Sequence, residues 1–216
     1  MPRPPARPAS PPPLPEPLAA LTARADIRRL RKNTLLIHEG DQGDTLFIIL
    51  SGRLRAFSMG DKDREITYGV YGPGEYIGEM SLDGGPRSAS VMALEASVCA
   101  VVGRQTLEAF IAEQPAFAFE LLAKVIRRAR AATLNARQLA LNDVYGRLKL
   151  LLESLAAPRG DGKRLITERL THKEMANRLG CSREMVSRLT KDLERGQLLV
   201  MTDQGIELAA SLPMRW

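Results

Sequence analysis

The spacing of apolar and polar positions changes character along the chain. From Thr34 to about residue 103, short β-branched runs are separated by glycines: TLLIH (34–38), TLFIIL (45–50), RLRAFSM (53–59), REITYGVY (64–71) and SASVMALEASVCAVV (88–102). Ten of the 17 glycines lie between Gly40 and Gly85. Short runs broken by Gly at turn-like intervals predict a compact antiparallel barrel or roll. After Pro115 the period becomes helical, with no further Pro until Pro158 and Gly146 as the only intervening Gly. Ala118, Leu122, Val125, Ala129, Ala132, Ala136 and Leu139 alternate spacings of four and three, an a/d stripe sustained for three heptads. A helix lying on its own sheet gives the same stripe, but a roll this small cannot cover so long a helix. The stripe therefore predicts a two-helix seam and a homodimer through residues 118–139, with Arg127, Arg128 and Arg130 on its solvated face.

A second helical stretch, Val144 to Ala156, runs into the break Ala157–Pro158–Arg159–Gly160. Thr171 then opens a short amphipathic segment. With Glu174 three residues on it forms a capping box, Met175, Ala176 and Leu179 supply the apolar face, and Gly180 permits a left-handed stop. Ser182 can cap a further helix with apolar positions Met185, Val186, Leu189 and Leu193. Two short helices across a Gly-containing turn predict a helix-turn-helix. Leu198–Met201 and Ile206–Leu208, joined by Thr202–Asp203–Gln204–Gly205, predict a hairpin wing.

The fold class expected is α+β: an antiparallel, jelly-roll-like β-roll (18–116), a long dimerisation helix (117–142) and a winged helix-turn-helix (143–216). Nine of the 14 prolines fall in the first 17 residues, so 1–17 reads as a disordered tail.

Composition narrows the function. No apolar run approaches the 18 or so residues of a bilayer span, and MPRPPARPAS has no apolar block of the secretory kind. Two cysteines, Cys99 and Cys181, are too few for a disulfide framework or an iron–sulfur cluster. A reducing, cytoplasmic location is expected. His38 and His172 fall in different domains, so neither a haem nor a metal site is expected, and no nucleophile-elbow, phosphate-loop or zinc-hydrolase motif marks an enzyme. The net charge of +6 suits a polyanion, but residues 143–216 hold 13 cations against 10 anions, so charge alone does not locate it.

The face of the second short helix does. It carries Arg183, Glu184, Ser187, Arg188 and Lys191. Arginine presents a two-pronged donor to guanine, and glutamate can accept from cytosine. Thr171, His172 and Lys173 at the start of the preceding helix, with Ser182, Ser187 and Lys191, are expected to approach phosphates.

The segment G-C-S-R-E-M-V-S-R (180–188) closely resembles the recognition region of the catabolite-activator (CRP/FNR) transcription regulators. The order of roll, long helix and winged head extends that resemblance over nearly everything after the tail. It implies Arg183, Glu184 and Arg188 as base-reading residues, a TGTGA-like half-site in an inverted pair, double-stranded DNA as partner, and RNA polymerase as a further one.

In the roll, L-I-H-E-G-D-Q-G-D-T-L-F-I-I-L-S-G (36–52) resembles the first cyclic-nucleotide-domain signature. The second segment, I-G-E-M-S-L-D-G-G-P-R-S-A-S-V (77–91), carries the chemistry. Backbone amides over Gly78, Glu79, Met80 and Ser81 could hold a cyclic phosphate, Arg87 would neutralise it, and Ser88 would donate a hydrogen bond. Glu79 would accept from a ribose hydroxyl. By resemblance these are cyclic AMP contacts, with Thr133 reaching an adenine edge from across the dimer. Two positions depart from the pattern: only four residues separate Leu82 from Arg87, and Ala132 stands where cyclic AMP activators carry Thr. The alternatives are that Arg87 pairs with Glu79 or another acid and merely closes the roll, leaving a constitutive DNA-binding regulator, or that the roll is a nucleotide module with a vestigial DNA head.

Overall fold

In the computed structural model, residues 14–60, 65–159, 162–168, 170–209 and 211–214 are described, the side chain of Gln138 excepted. They divide into two compact units: residues up to Ser58 with Tyr68–Arg127, and Met59–Thr67 with Arg128 onward.

The first unit is built on β1 (Asp26–Leu30), β2 (Leu35–Ile37), β3 (Leu46–Ser51), β4 (Leu54–Met59), β5 (Glu65–Tyr71), β6 (Tyr76–Ile77), β7 (Ser90–Ala93) and β8 (Ser97–Val102). They form two four-stranded sheets, ordered β1-β8-β3-β6 and β2-β7-β4-β5, and every described pairing is antiparallel. Strand β3 shows why its sequence is an unbroken apolar run rather than an alternating one. Leu46 and Ile48 point to one cluster with Leu18, Leu21, Leu107, Phe110 and Phe117. Phe47 and Ile49 point to the opposite cluster with Leu54, Ala56, Val91 and Cys99. Alternate residues face opposite sides of a strand, so a strand covered on both faces must be apolar throughout.

The covering elements on the Leu46 side are α1 (Glu16–Thr22), α2 (Arg104–Glu113) and the start of α3 (Ala116–Leu141). Both α1 and α2 correct the reading of the sequence. The tail was expected to run through Pro17, yet α1 starts at Glu16, because proline is tolerated in a first turn and Leu18 and Leu21 are buried. Residues 1–13 of that tail lie outside the described residues. Helix was expected only after Pro115, but Leu107 and Phe110 already turn an α2 face into the core. Sheet was expected from Thr34, whereas β1 begins at Asp26; it alternates poorly because four of its five residues are exposed.

Helix α3 buries Phe117 at its N-terminal end and then leaves the core. Leu122, Val125 and Leu139 of the a/d stripe are exposed, as are Phe119, Ile126 and Leu134.

The second unit holds α4 (Val144–Leu155), α5 (His172–Leu179), α6 (Arg183–Arg195) and a sheet ordered β11-β12-β10-β9, from β9 (Ala157–Pro158), β10 (Arg164–Ile166), β11 (Leu199–Thr202) and β12 (Gly205–Leu208). The hairpin wing is present as expected. The break after Ala156 is instead partly strand, since Ala157 and Pro158 pair with Leu165 and Arg164; Gly160 and Asp161 lie outside the described residues. One core joins Tyr145, Leu148 and Leu152 to Met175, Leu179, Val186, Leu193 and the wing residues Leu199, Ile206 and Leu208.

Candidate nucleic-acid interface and ligand loop

Helix α5 starts on the capping box that its sequence predicts. The Thr171 hydroxyl accepts from the Glu174 amide at 3.2 Å, and the Glu174 carboxylate accepts from the Thr171 amide at 2.7 Å. It stops at Gly180, whose φ of +64° lies in the left-handed region that side chains disfavour. Ser182 then caps α6, its oxygen accepting from the Met185 amide at 3.2 Å. Each cap hydroxyl uses a lone pair for the cap and keeps its own proton for a further acceptor.

Val186, Thr190 and Leu193, spaced by four and three, turn into the core. That rotation leaves Arg183, Glu184, Arg188 and Lys191 exposed and Ser187 half-exposed, lining one shallow groove with Asp192 and Arg195. The structure thus brings the sequence-predicted base-reading residues onto one solvent-facing surface. Asp192 and Arg195 were missed, although continuing the helical period from Arg188 reaches both. Lys173, in the first turn of α5, is exposed. His172, expected to approach phosphate, is half-buried, with Nε2 3.2 Å from Thr190 Oγ1.

In the roll, Gly78 has φ +90° and opens a 3-10 turn, Glu79–Ser81. A side chain at Gly78 would sit 2.6 Å from the Thr45 carbonyl and 2.9 Å from Arg87 Nη1. The glycine is required by space as well as by backbone conformation. Arg87 is 8% exposed, and its Nη1 donates to the Thr45 carbonyl (3.0 Å), the Gly78 carbonyl (3.0 Å) and the Ser81 hydroxyl (2.7 Å). Three hydrogen bonds hold the shortened loop around Arg87. Asp83 accepts from the Gly85 amide at 2.9 Å, the Arg87 amide donates to the Asp41 carbonyl at 2.8 Å, and the Gly40 amide donates to the Arg87 carbonyl at 2.9 Å. Nη2 and Nε lie where any side chain at Gly43 would stand, 2.8 and 3.0 Å from its first carbon.

Burial pushes the Arg87 guanidinium down from its ordinary value, while Asp44, Asp41 and Glu79 pull it back up. Glu79 is buried, and Ser88 and Met80 are exposed, Met80 at 55%. Thr133 stands on α3 in the other unit, exposed, its hydroxyl donating to the Ala129 carbonyl at 3.0 Å. His38 falls one residue past β2, with Nδ1 3.7 Å from Asp41. Cys99 and Cys181 are both free thiols. Among the described residues no group of three or more His, Cys, Asp or Glu is placed to hold a metal, and no helix is long and apolar enough to cross a membrane.

Known proteins share this arrangement. Residues 27–114 match the cyclic nucleotide-binding domain, and residues 146–210 the Crp-like helix-turn-helix domain. The CRP-like cAMP-activated global transcriptional regulator of Mycobacterium tuberculosis is 32% identical over 182 residues, covering 82% of this chain and 81% of its own. The cyclic AMP receptor protein of Thermus thermophilus is 35% identical over 160 residues, 71% of this chain and 70% of its own. Among solved structures, the c-di-GMP responsive global regulator CLP of Xanthomonas campestris superposes with a TM-score of 0.79 at 25% identity, covering 89% of this chain and 98% of that one. Regulators of this kind bind DNA through the head described above and are not enzymes. With a nucleotide-domain roll at one end and a capped, arginine-faced recognition helix at the other, the chain belongs to the CRP/FNR family of transcription regulators.

Proposed function

We propose that the protein is a cytoplasmic, homodimeric transcription regulator that reads TGTGA-like inverted repeats and is gated by cyclic AMP. The roll (18–116) is the sensor, the long helix (117–142) the seam, and the head (143–216) the reader. The observation that carries this is the single exposed face on α6. Arg183 and Arg188 are directed at guanine edges and Glu184 at cytosine. Thr171, His172, Lys173, Ser182, Ser187 and Lys191 hold the backbone. Exposure of Leu122, Val125 and Leu139 supports a partner helix along α3, and two-fold pairing of heads matches an inverted repeat. RNA polymerase is the proposed partner for output.

For the ligand, the Gly78–Ser81 turn, Glu79, Arg87 and Ser88 are the proposed phosphate and ribose contacts, with Thr133 of the second subunit toward the base. Relatives named as cAMP-activated support cyclic AMP. A second reading, a roll that answers to a different ligand or to none, is favoured by one observation: Arg87 Nη1 is already engaged by three protein acceptors. A ligand must favour the DNA-competent state to shift anything.

Fluorescence anisotropy of a labelled TGTGA inverted repeat, titrated at fixed salt with and without cyclic AMP, tests both. Tightening of about tenfold, a coupling near 1.4 kcal/mol, is expected. Equal affinity in both conditions selects the second reading. Arg183→Ala and Arg188→Ala should each cost about 1–3 kcal/mol and relax base preference; retention of full, sequence-specific binding by both refutes the assignment of the reading face.

A further inference from the structure

Thr190 is fully buried in the middle of α6, at 1% exposure, on the side opposite the reading face. Its Oγ1 has three neighbours: the Val186 carbonyl at 2.9 Å, the Ser187 carbonyl at 3.2 Å and His172 Nε2 at 3.2 Å. A hydroxyl has one proton to donate. Both carbonyls can only accept, and the Val186 carbonyl is the nearest of the three, so the Thr190 proton goes into its own helix, as it commonly does for a helical threonine. Oγ1 is then an acceptor toward the ring, and His172 Nε2 must carry a hydrogen. Neutral His172 is thereby held in its Nε2–H form, with Nδ1 bare.

A bare nitrogen cannot hold a phosphate, which only accepts. Resting on the DNA-reading function proposed above, we propose that Thr190 is a positioning residue that makes the phosphate contact of His172 depend on protonation. The ring grips the backbone only as the imidazolium, with Nε2–H to Thr190 and Nδ1–H to the phosphate, and each head takes up one proton when DNA binds. The charges on the surrounding segments favour this coupling. Three carboxylates of the flanking segments have partners of their own: Glu174 accepts from the Thr171 amide, Glu168 pairs with Arg178, and Asp192 lies 3.6 Å from Arg195. Lys173 follows His172 on α5, and Arg188 and Lys191 neighbour Thr190 on α6. Glu184 and Glu194, the other carboxylates of α6, are exposed to solvent; on binding, the phosphate supplies the counter-charge.

The full-length protein has two histidines, so long-range 1H–15N spectra of the free protein, assigned with His172→Gln, read the ring directly. The expected result near neutral pH is the Nε2–H form in the wild type and in Thr190→Ser, and a mixture in Thr190→Val. Anisotropy of the same TGTGA duplex at fixed salt, between pH 6 and 8, reads the consequence. Wild-type affinity should fall on the order of tenfold or more across this window as the proton becomes harder to supply. Thr190→Ser should keep that profile, while Thr190→Val and His172→Gln should flatten it with the fold intact by circular dichroism. A Nδ1–H form in the wild type, or a Thr190→Val profile identical to wild type, overturns the proposal while leaving the DNA reading intact. Absence of DNA binding by the wild type at every pH overturns both.

Discussion

Replacing Arg87 by methionine keeps an unbranched apolar stem and removes the guanidinium. The Nη1 group carries two protons and shares them among the Thr45 carbonyl, the Gly78 carbonyl and the Ser81 hydroxyl, all within 3.0 Å. Two full bonds from a charged donor contribute about 1.5–3 kcal/mol each, a gross of about 3–6 kcal/mol. Two effects reduce this. Burial of the guanidinium opposes its charge, and methionine removes that penalty. The Ser81 hydroxyl also keeps its own bond to the Gly78 carbonyl at 3.3 Å, so that carbonyl is not stranded. A net loss of about 2–3 kcal/mol in the stability of the roll is expected, which lowers its melting temperature by roughly 5–10 °C for a protein of this size. Differential scanning calorimetry, with circular dichroism to assign the transition, measures it. Arg87→Lys, a point charge that cannot span the same acceptors, should fall between the two. A shift below about 2 °C for Arg87→Met would refute the reasoning, because it would mean that the three acceptors are satisfied as well without the arginine.

Other substitutions probe separate links. Thr171→Ala removes the hydroxyl that accepts from the Glu174 amide, and should cost the winged head about 1 kcal/mol in urea unfolding. Gly180→Ala forces a side chain to φ +64°; a loss of about 1–2 kcal/mol is expected by the same assay. Burial pushes the Cys99 thiol up to about 11, above its unfolded value of about 8.5. The stability it contributes is therefore complete below about pH 8.5 and lost as pH rises toward 11, and the pH dependence of unfolding over that window should diminish in Cys99→Ala. Lys191→Ala should reduce the slope of log affinity against log salt by about 2 per dimer, one released counterion per head.

How much of this was legible depended on whether the cause of a feature was local. The α5 and α6 caps were readable because Thr171, Glu174, Gly180 and Ser182 act within one turn of themselves. Strand β3 was readable because burial on both faces leaves an uninterrupted apolar run. Helix α2 was not: ten residues with Leu107 and Phe110 buried give too few repeats to establish a period. Strand β1 was hidden by its charged, exposed residues Arg28 and Arg29, whose pairing with Cys99 and Val98 leaves no mark on their own sequence. At the candidate site, residue types identified Arg87 but not its partners. Two of them are backbone carbonyls, which every residue possesses, and Thr45 is 42 positions away. The Thr190–His172 pair was invisible for a related reason, since a buried threonine on an amphipathic helix reads as core filling.

The exposed row on α3 has a consequence for dosage. Leu122, Val125 and Leu139 are exposed; in the homodimer proposed above a second copy covers them, so the population of paired heads rises with the square of protein concentration when the chain is dilute. A repeat that needs both heads would then respond to the amount of protein more steeply than in proportion. Effector level would not be the only input: doubling synthesis of the chain could raise site occupancy nearly fourfold, provided that copy number stays below the pairing constant.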